Sequence, residues 1–222
     1  MEEPLDQPNI MASRGIRFTQ INLHQSSGAA LHLVRGLSAV HTNIALIQEP
    51  PYRGGSIIGL SGAGTLFCGT CAERPRACIV SRGLQVALLP QLSGRDVTAI
   101  IGKIPGERTG QSIVFCSAYF PYDATESPPP SGVMRVVEYC RDRGLSLLLG
   151  CDANAHHEVW GSTDTNRRGE QLLEYLATED LEILNRGRKP TFQNAVRSEV
   201  IDLTICSRNL ASMVVDWRVS GS

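Results

Sequence analysis

Polar and apolar residues alternate along Arg17-Phe18-Thr19-Gln20-Ile21-Asn22-Leu23, the period of a half-buried strand. Ser26-Ser27 can cap a helix whose apolar positions, Ala30, Leu33, Val34, Leu37 and Val40, share one helical face. Ile44-Ala45-Leu46-Ile47 is a short apolar run closed by Glu49-Pro50-Pro51, which predicts a buried strand parallel to the first. Residues 52–70 are rich in Gly and Ser and predict loops with brief strands. Three β-type runs follow: Ala77–Val80, Val97–Ile101 and Ile113–Phe120, the last two joined by a hairpin connection over 105–111. After Pro128-Pro129-Pro130, Ser131 can cap a helix with Val133, Val136, Val137 and Cys140 on its buried stripe and Gly144 as its stop. Leu145–Leu149 predicts another buried strand, and Leu172, Leu173 and Leu176 mark a third helix. Ile183-Leu184, Val200–Ile205 and Met213–Val215 predict late strands. Many strands with few helices predict one mixed α/β domain, sheets packed together and helices outside.

Composition narrows this picture modestly. With 222 residues, 42% hydrophobic and 19% charged, the chain supports one large domain with a sizeable core. No apolar run reaches the roughly 20 residues of a membrane span. Residues 1–15 are acidic and lack an apolar core, so they predict a mobile leader rather than a secretory signal. Seven cysteines, an odd number set mostly in apolar runs, fit a reducing intracellular compartment. Cys68 and Cys71 have metal-ligand spacing without a second pair beside them, which is weak grounds for zinc. A net charge of −1 restricts any nucleic-acid contact to a local patch. Arg167-Arg168 and the run Arg186 to Lys189, with Arg188, are the candidates, and solvated surface charge is their bland alternative.

Candidate chemistry enters at Gly150-Cys151-Asp152-Ala153-Asn154-Ala155-His156-His157, directly after a predicted strand. Ligands of layered α/β proteins gather at the carboxyl ends of strands. Asp152 and Asn154 can converge there on one reacting atom, although Asp-x-Asn is also good turn chemistry. Other strands end in polar residues too: Asn22, Glu49 and Tyr119. Asp202 lies inside an apolar run, where it faces either this group or solvent on an edge strand. Three carboxylates, two carboxamides and a phenol are an oxygen-rich set that selects Mg²⁺ or Mn²⁺ over zinc. Such a site suits hydrolysis of a phosphodiester.

The blocks Gln20-Ile21-Asn22, Ile47-Gln48-Glu49-Pro50, Ala118-Tyr119-Phe120-Pro121, Gly150 to His157, Trp160-Gly161-Ser162, Asn166-Arg167-Arg168-Gly169, Pro190-Thr191-Phe192 and Ser198 to Thr204 occur in order. Together they resemble the endonuclease domain of non-LTR (LINE-type) retrotransposons, within the endonuclease/exonuclease/phosphatase family. The resemblance runs from about Ile16 to about Val219. It implies a four-layered α/β sandwich, two packed mixed sheets flanked by helices, over one domain from residue 16 to 222. It implies Glu49 as metal-binding carboxylate with Asn22 beside it, Asp152 as the group acting on the attacking water, and Asn154 as a hydrogen-bond donor to a phosphate oxygen. Tyr119 and Thr191 then stand near the phosphate, Asp202 orients a late histidine, and Arg167 and Arg168 contact DNA. The family's Ser-Asp-His motif is not among these residues; the expectation is a chain cut just upstream of it, with loss of the histidine as the alternative. The implied activity is Mg²⁺-dependent nicking of chromosomal DNA in the nucleus, giving a 3′-hydroxyl that primes a linked reverse transcriptase. Rival readings are a phosphoesterase for abasic DNA or small molecules, and a DNA-binding module without catalysis.

Overall fold

The computed structural model describes residues 15–39, 41–70, 73–103, 112–194 and 196–220. Residues 1–14 of the predicted leader, the 105–111 connection, Val40 and Cys71 lie outside them. Chain order begins with β1 (Phe18–Asn22), α1 (Ser27–Ala39) and β2 (Ile44–Gln48). β1 and β2 pair in parallel, as a strand–helix–strand unit requires. Ser26 caps α1 by accepting a hydrogen bond from the Ala29 N–H at 3.1 Å. β3 (Thr65–Phe67) and β4 (Ala77–Ser81) complete a four-stranded sheet of order β1-β2-β4-β3.

The second sheet has six strands. They are β5 (Val86–Leu88), β6 (Val97–Lys103), β7 (Ser112–Tyr119), β8 (Ser146–Asp152), β9 (Leu181–Ile183) and β10 (Asp202–Ser207), in the order β9-β10-β8-β7-β6-β5. Helix α2 (Ser131–Arg143) crosses over between the parallel strands β7 and β8, and α3 (Arg167–Thr178) follows the Asp152 motif. The helices cover the outer faces. Ala30 and Leu37 of α1 pack with Ala45 and Ile47 of the first sheet, while Val133, Val136, Leu172 and Leu176 of α2 and α3 pack with Leu147 and Leu149 of the second. The result is the expected four-layered sandwich.

Several local expectations change. Ser131 is the first helical residue rather than the cap; Pro130 holds that position, and the Glu126 carboxylate accepts the Ser131 N–H at 2.9 Å. The last long strand starts at Asp202, not Val200, and lies between β8 and β9 rather than at an edge. Met213–Val215 form no strand: a short helix, Arg208–Ala211, ends the regular structure, and Val215 is 82% exposed. An apolar pair without a neighbouring strand to bond has no reason to extend.

The layer between the sheets decides where chemistry can occur. At one end it is apolar, built from Ile44, Leu46, Ile79, Ile100, Ile113, Phe115, Leu148 and Cys206. Alternation then carries the same strands into polar positions. Gln48 Nε2 donates to Ser117 Oγ at 2.9 Å and to the Gly150 carbonyl at 3.0 Å, and Ser117 Oγ donates to the Ile47 carbonyl at 2.8 Å. Gln20 Nε2 donates to the Cys151 carbonyl at 3.0 Å, and Gln20 Oε1 accepts from Thr204 Oγ1 at 3.0 Å. The polar face of β1 therefore points between the sheets. Gly150 makes that approach feasible: a Cβ there would lie 2.9 Å from Gln20 Oε1 and from Leu46 Cδ1.

Candidate active site

Two residues further along these strands the layer opens into a row of acids. Register builds half of it, because Asp152 pairs with Tyr119 on β7 and with Asp202 on β10. Paired residues project to the same face of a sheet, so one phenol and two carboxylates line up. The first sheet supplies the other half: Asn22 pairs with Gln48, and Glu49 is the next residue.

Hydrogen bonds fix the row. Asn22 Nδ2 donates to Asp152 Oδ2 at 2.8 Å across the gap between the sheets, while Asn22 Oδ1 accepts the His24 N–H at 2.8 Å. The Asn154 N–H donates to Asp152 Oδ1 at 3.1 Å, and Asn154 Nδ2 donates to the Phe120 carbonyl at 3.1 Å. Thr191 Oγ1 accepts the N–H groups of Ile201 at 3.1 Å and Asp202 at 3.0 Å. His24 Nδ1 lies 3.4 Å from Glu49 Oε2. His24, Gln25, Glu49 and Asn154 all have positive φ, four of the seven such non-glycine residues described. Each costs about 1–3 kcal/mol of backbone strain. This concentration marks the edge as a place where geometry outranks stability.

The electrostatics separate the acids. Glu49 is held below the ordinary carboxylate range, chiefly by its hydrogen bond from His24, with Asn22 and Gln25 assisting against burial. His24 is raised by the same contact. Burial raises Asp152, against the hydrogen bonds from the Asn154 N–H and Asn22, and Glu49 adds repulsion. Burial raises Asp202 as well, and the facing Asp152 carboxylate raises it further. Tyr119 is pushed up to about 12 by burial, with Glu49 and Asp152 adding to the shift, so its hydroxyl is a neutral donor near pH 7. Asp202 Oδ1 is buried without a hydrogen-bond partner among the described residues. Repelling carboxylates with an orphaned oxygen and no thiolate fit a hard divalent cation.

The basic candidates divide. Arg168 is half-buried and its Nε donates to the Asn154 carbonyl at 3.0 Å, whereas Arg167 is exposed on the first turn of α3. Arg188 is exposed; Lys189 Nζ donates to the carbonyls of Val219 and Ser220 at 3.1 and 3.2 Å. His156 and His157 stand outside the row. His156 Nδ1 meets Asp164 Oδ1 at 2.6 Å, and His157 accepts the Val159 N–H. Sequence reasoning missed His24 and Arg76 as neighbours of the row. Arg76 has no local signal, since only tertiary pairing brings it to Tyr119.

This fold and its acidic edge define a nuclease-type two-sheet sandwich. Residues 113–222 match the family described as Endonuclease-reverse transcriptase. The endonuclease domain of TRAS1, a telomere-specific non-LTR retrotransposon, is similar at 28% identity with a TM-score of 0.74, covering 91% of this chain and 90% of that one. The AP endonuclease LMAP from Leishmania major (13% identity, TM-score 0.65, 92% and 82% covered) shares the fold. So does the Xenopus laevis APE2 catalytic domain (10%, 0.59, 88% and 83%). No curated protein matches the chain by sequence. Residues 113–222 thus carry the match to an endonuclease family, and the chain as a whole has the fold of a non-LTR retrotransposon endonuclease.

Proposed function

We propose that this protein is a DNA endonuclease dependent on Mg²⁺ or Mn²⁺, which nicks one strand of chromosomal DNA in the nucleus and leaves a 3′-hydroxyl for a linked reverse transcriptase. The observation that carries the reading is the row Glu49, Asn22, Asp152, Asp202 and Tyr119, convergent at one edge and tied across the sheets by the Asn22–Asp152 bond. Glu49 and the Asn22 carbonyl oxygen would hold the cation, which when bound supplies charge neutralisation at a phosphate oxygen.

The chain's own groups then divide the work. Asp152 accepts a proton from the attacking water; burial raises its proton affinity, and two donors fix its orientation. Tyr119 donates its hydroxyl hydrogen to a phosphate oxygen. Asn154 and Thr191 would turn an amide and a hydroxyl hydrogen to the same oxygens from their present partners, Tyr119 and the Asp202 carboxylate. Arg168, bonded to the Asn154 carbonyl, and Arg167, Arg188 and Lys189 would contact DNA phosphates.

Nicking of supercoiled plasmid with Mg²⁺, with Mn²⁺ and with EDTA tests the reading. The parent nicks only with a cation, while Glu49→Ala and Asp152→Ala do not. Variants that nick as fast as the parent refute it. Preference for abasic duplex or small phosphoesters assigns the chain to those substrates instead, and duplex binding without nicking makes it a binding module.

A further inference from the structure

Arg76 and Asp96 lie outside every motif of the sequence, yet they join the two halves of the acidic row. Arg76 immediately precedes β4 of the first sheet, and Asp96 immediately precedes β6 of the second. Arg76 Nε and Asp96 Oδ1 are in contact, and Nη2 donates to Oδ2 at 2.6 Å, a bidentate pair. About a fifth of the Arg76 side chain and a quarter of that of Asp96 are exposed (21% and 26%). Such forks fix the plane of the guanidinium as well as its distance. The backbone repeats the connection, since the Arg76 N–H donates to the Arg95 carbonyl at 2.6 Å.

Each partner also holds a site residue. The Arg76 carbonyl accepts the Glu49 N–H at 2.8 Å, and the Asp96 carbonyl accepts the Tyr119 N–H at 2.9 Å. The guanidinium carbon of Arg76 stands 4.7 Å from the centroid of the Tyr119 ring. A cation at that distance is attracted to the ring face. It also draws electron density from the phenol, which makes the hydroxyl a better donor. The ion pair therefore controls two quantities: the separation of Glu49 from Tyr119 and the donor strength of Tyr119.

We infer that Arg76, held by Asp96, is a positioning residue for phosphodiester cleavage, clamping the two sheets at the active edge and seating the Tyr119 phenol against Glu49. This rests on the nuclease reading above. A surface arginine that merely touched DNA would behave differently: its loss would raise KM and reduce the salt dependence of binding by about one charge.

The test is a double-mutant cycle in plasmid nicking with Mn²⁺, with thermal unfolding of every variant. Arg76→Gln and Asp96→Asn are each expected to lower kcat about 10- to 100-fold, the usual scale for groups that orient others. KM and salt slope should stay at the parent values. Arg76→Lys, which keeps a charge but loses the fork, should recover part of kcat. In a Tyr119→Phe background the Arg76→Gln effect should shrink to less than about threefold, because coupled residues are not additive. A KM effect with kcat unchanged, or full additivity with Tyr119→Phe, overturns the clamp. Arg76→Gln nicking like the parent while Asp152→Ala is dead refutes the clamp alone. A parent that does not nick, or an Asp152→Ala variant that does, refutes the nuclease reading and the clamp's catalytic role with it.

Discussion

The two ends of the layer between the sheets are made by the same strands and behave oppositely. At the apolar end, Ile44, Leu46, Ile100, Phe115 and Leu148 interlock, each worth about 1.5–3 kcal/mol of burial. At the acidic end, Asp152 and Asp202 face each other desolvated, Glu49 and Asn154 have left-handed backbones, and one carboxylate oxygen goes unbonded among the described residues. Between them the Gln20, Gln48, Ser117 and Thr204 bonds pass rigidity from one end to the other. The difference teaches that the site is destabilising by construction. It is held in place by packing that starts three or four residues away on each strand.

Substitutions at the two ends should therefore separate activity from stability. Asp152→Ala has the largest expected effect: about a thousandfold loss of nicking in a single-turnover assay, the scale of a lost general base, with Tm unchanged or higher. Phe115→Ala should do the reverse, costing about 3–5 kcal/mol in urea unfolding while the folded fraction nicks at the parent rate. Gly150→Ala probes the middle. Its Cβ collides with Gln20 and Leu46, so it should cost about 1–3 kcal/mol and slow nicking as well, measured by the same two assays.

Asp202→Asn is the smallest and fixes a sign. Its folded-state pKa is raised above the ordinary value. At acid pH both folded and unfolded chains are protonated, so the carboxyl has no cost. As pH rises past the ordinary range the unfolded chain loses a proton that the folded chain keeps, and stability falls. Asparagine removes this penalty. Tm should rise by about 2–4 °C near neutrality, roughly 1 kcal/mol for a chain of this size, and by nothing near about pH 3, where carboxyls are protonated in either state. Scanning calorimetry across pH checks it; a gain that is constant with pH contradicts the electrostatic account of the acidic end.

Legibility followed the range of the interaction. Asn22, Glu49, Tyr119, Asp152 and Asn154 were readable because each terminates or follows an apolar run, a purely local signal. The block around His156 and His157 stands outside the row and is bonded within itself. Asn166 Oδ1 accepts the Gly169 and His156 N–H groups, and Gly169 has no room for a side chain against the His156 carbonyl. Ser162 Oγ donates to the Val200 carbonyl, and the Thr163 N–H donates to the Glu199 carboxylate. The block seats Arg168 against Asn154. The misplaced Met213–Val215 strand has the complementary cause, since β-propensity without a partner strand does not make a strand.

By itself the sequence determined the element order, the parallel β1–β2 unit, the faces that helices cover, and the family, because hydrophobic period and motif order are properties of neighbouring residues. Only the tertiary structure decided which polar residues share a surface. Register put Asp202 in line with Asp152 and Tyr119, packing turned Gln20 and Asn22 inward, and the meeting of two sheets set Arg76 over Tyr119. Those outcomes depend on contacts between residues far apart in the chain, and no local pattern encodes which strand will lie beside which.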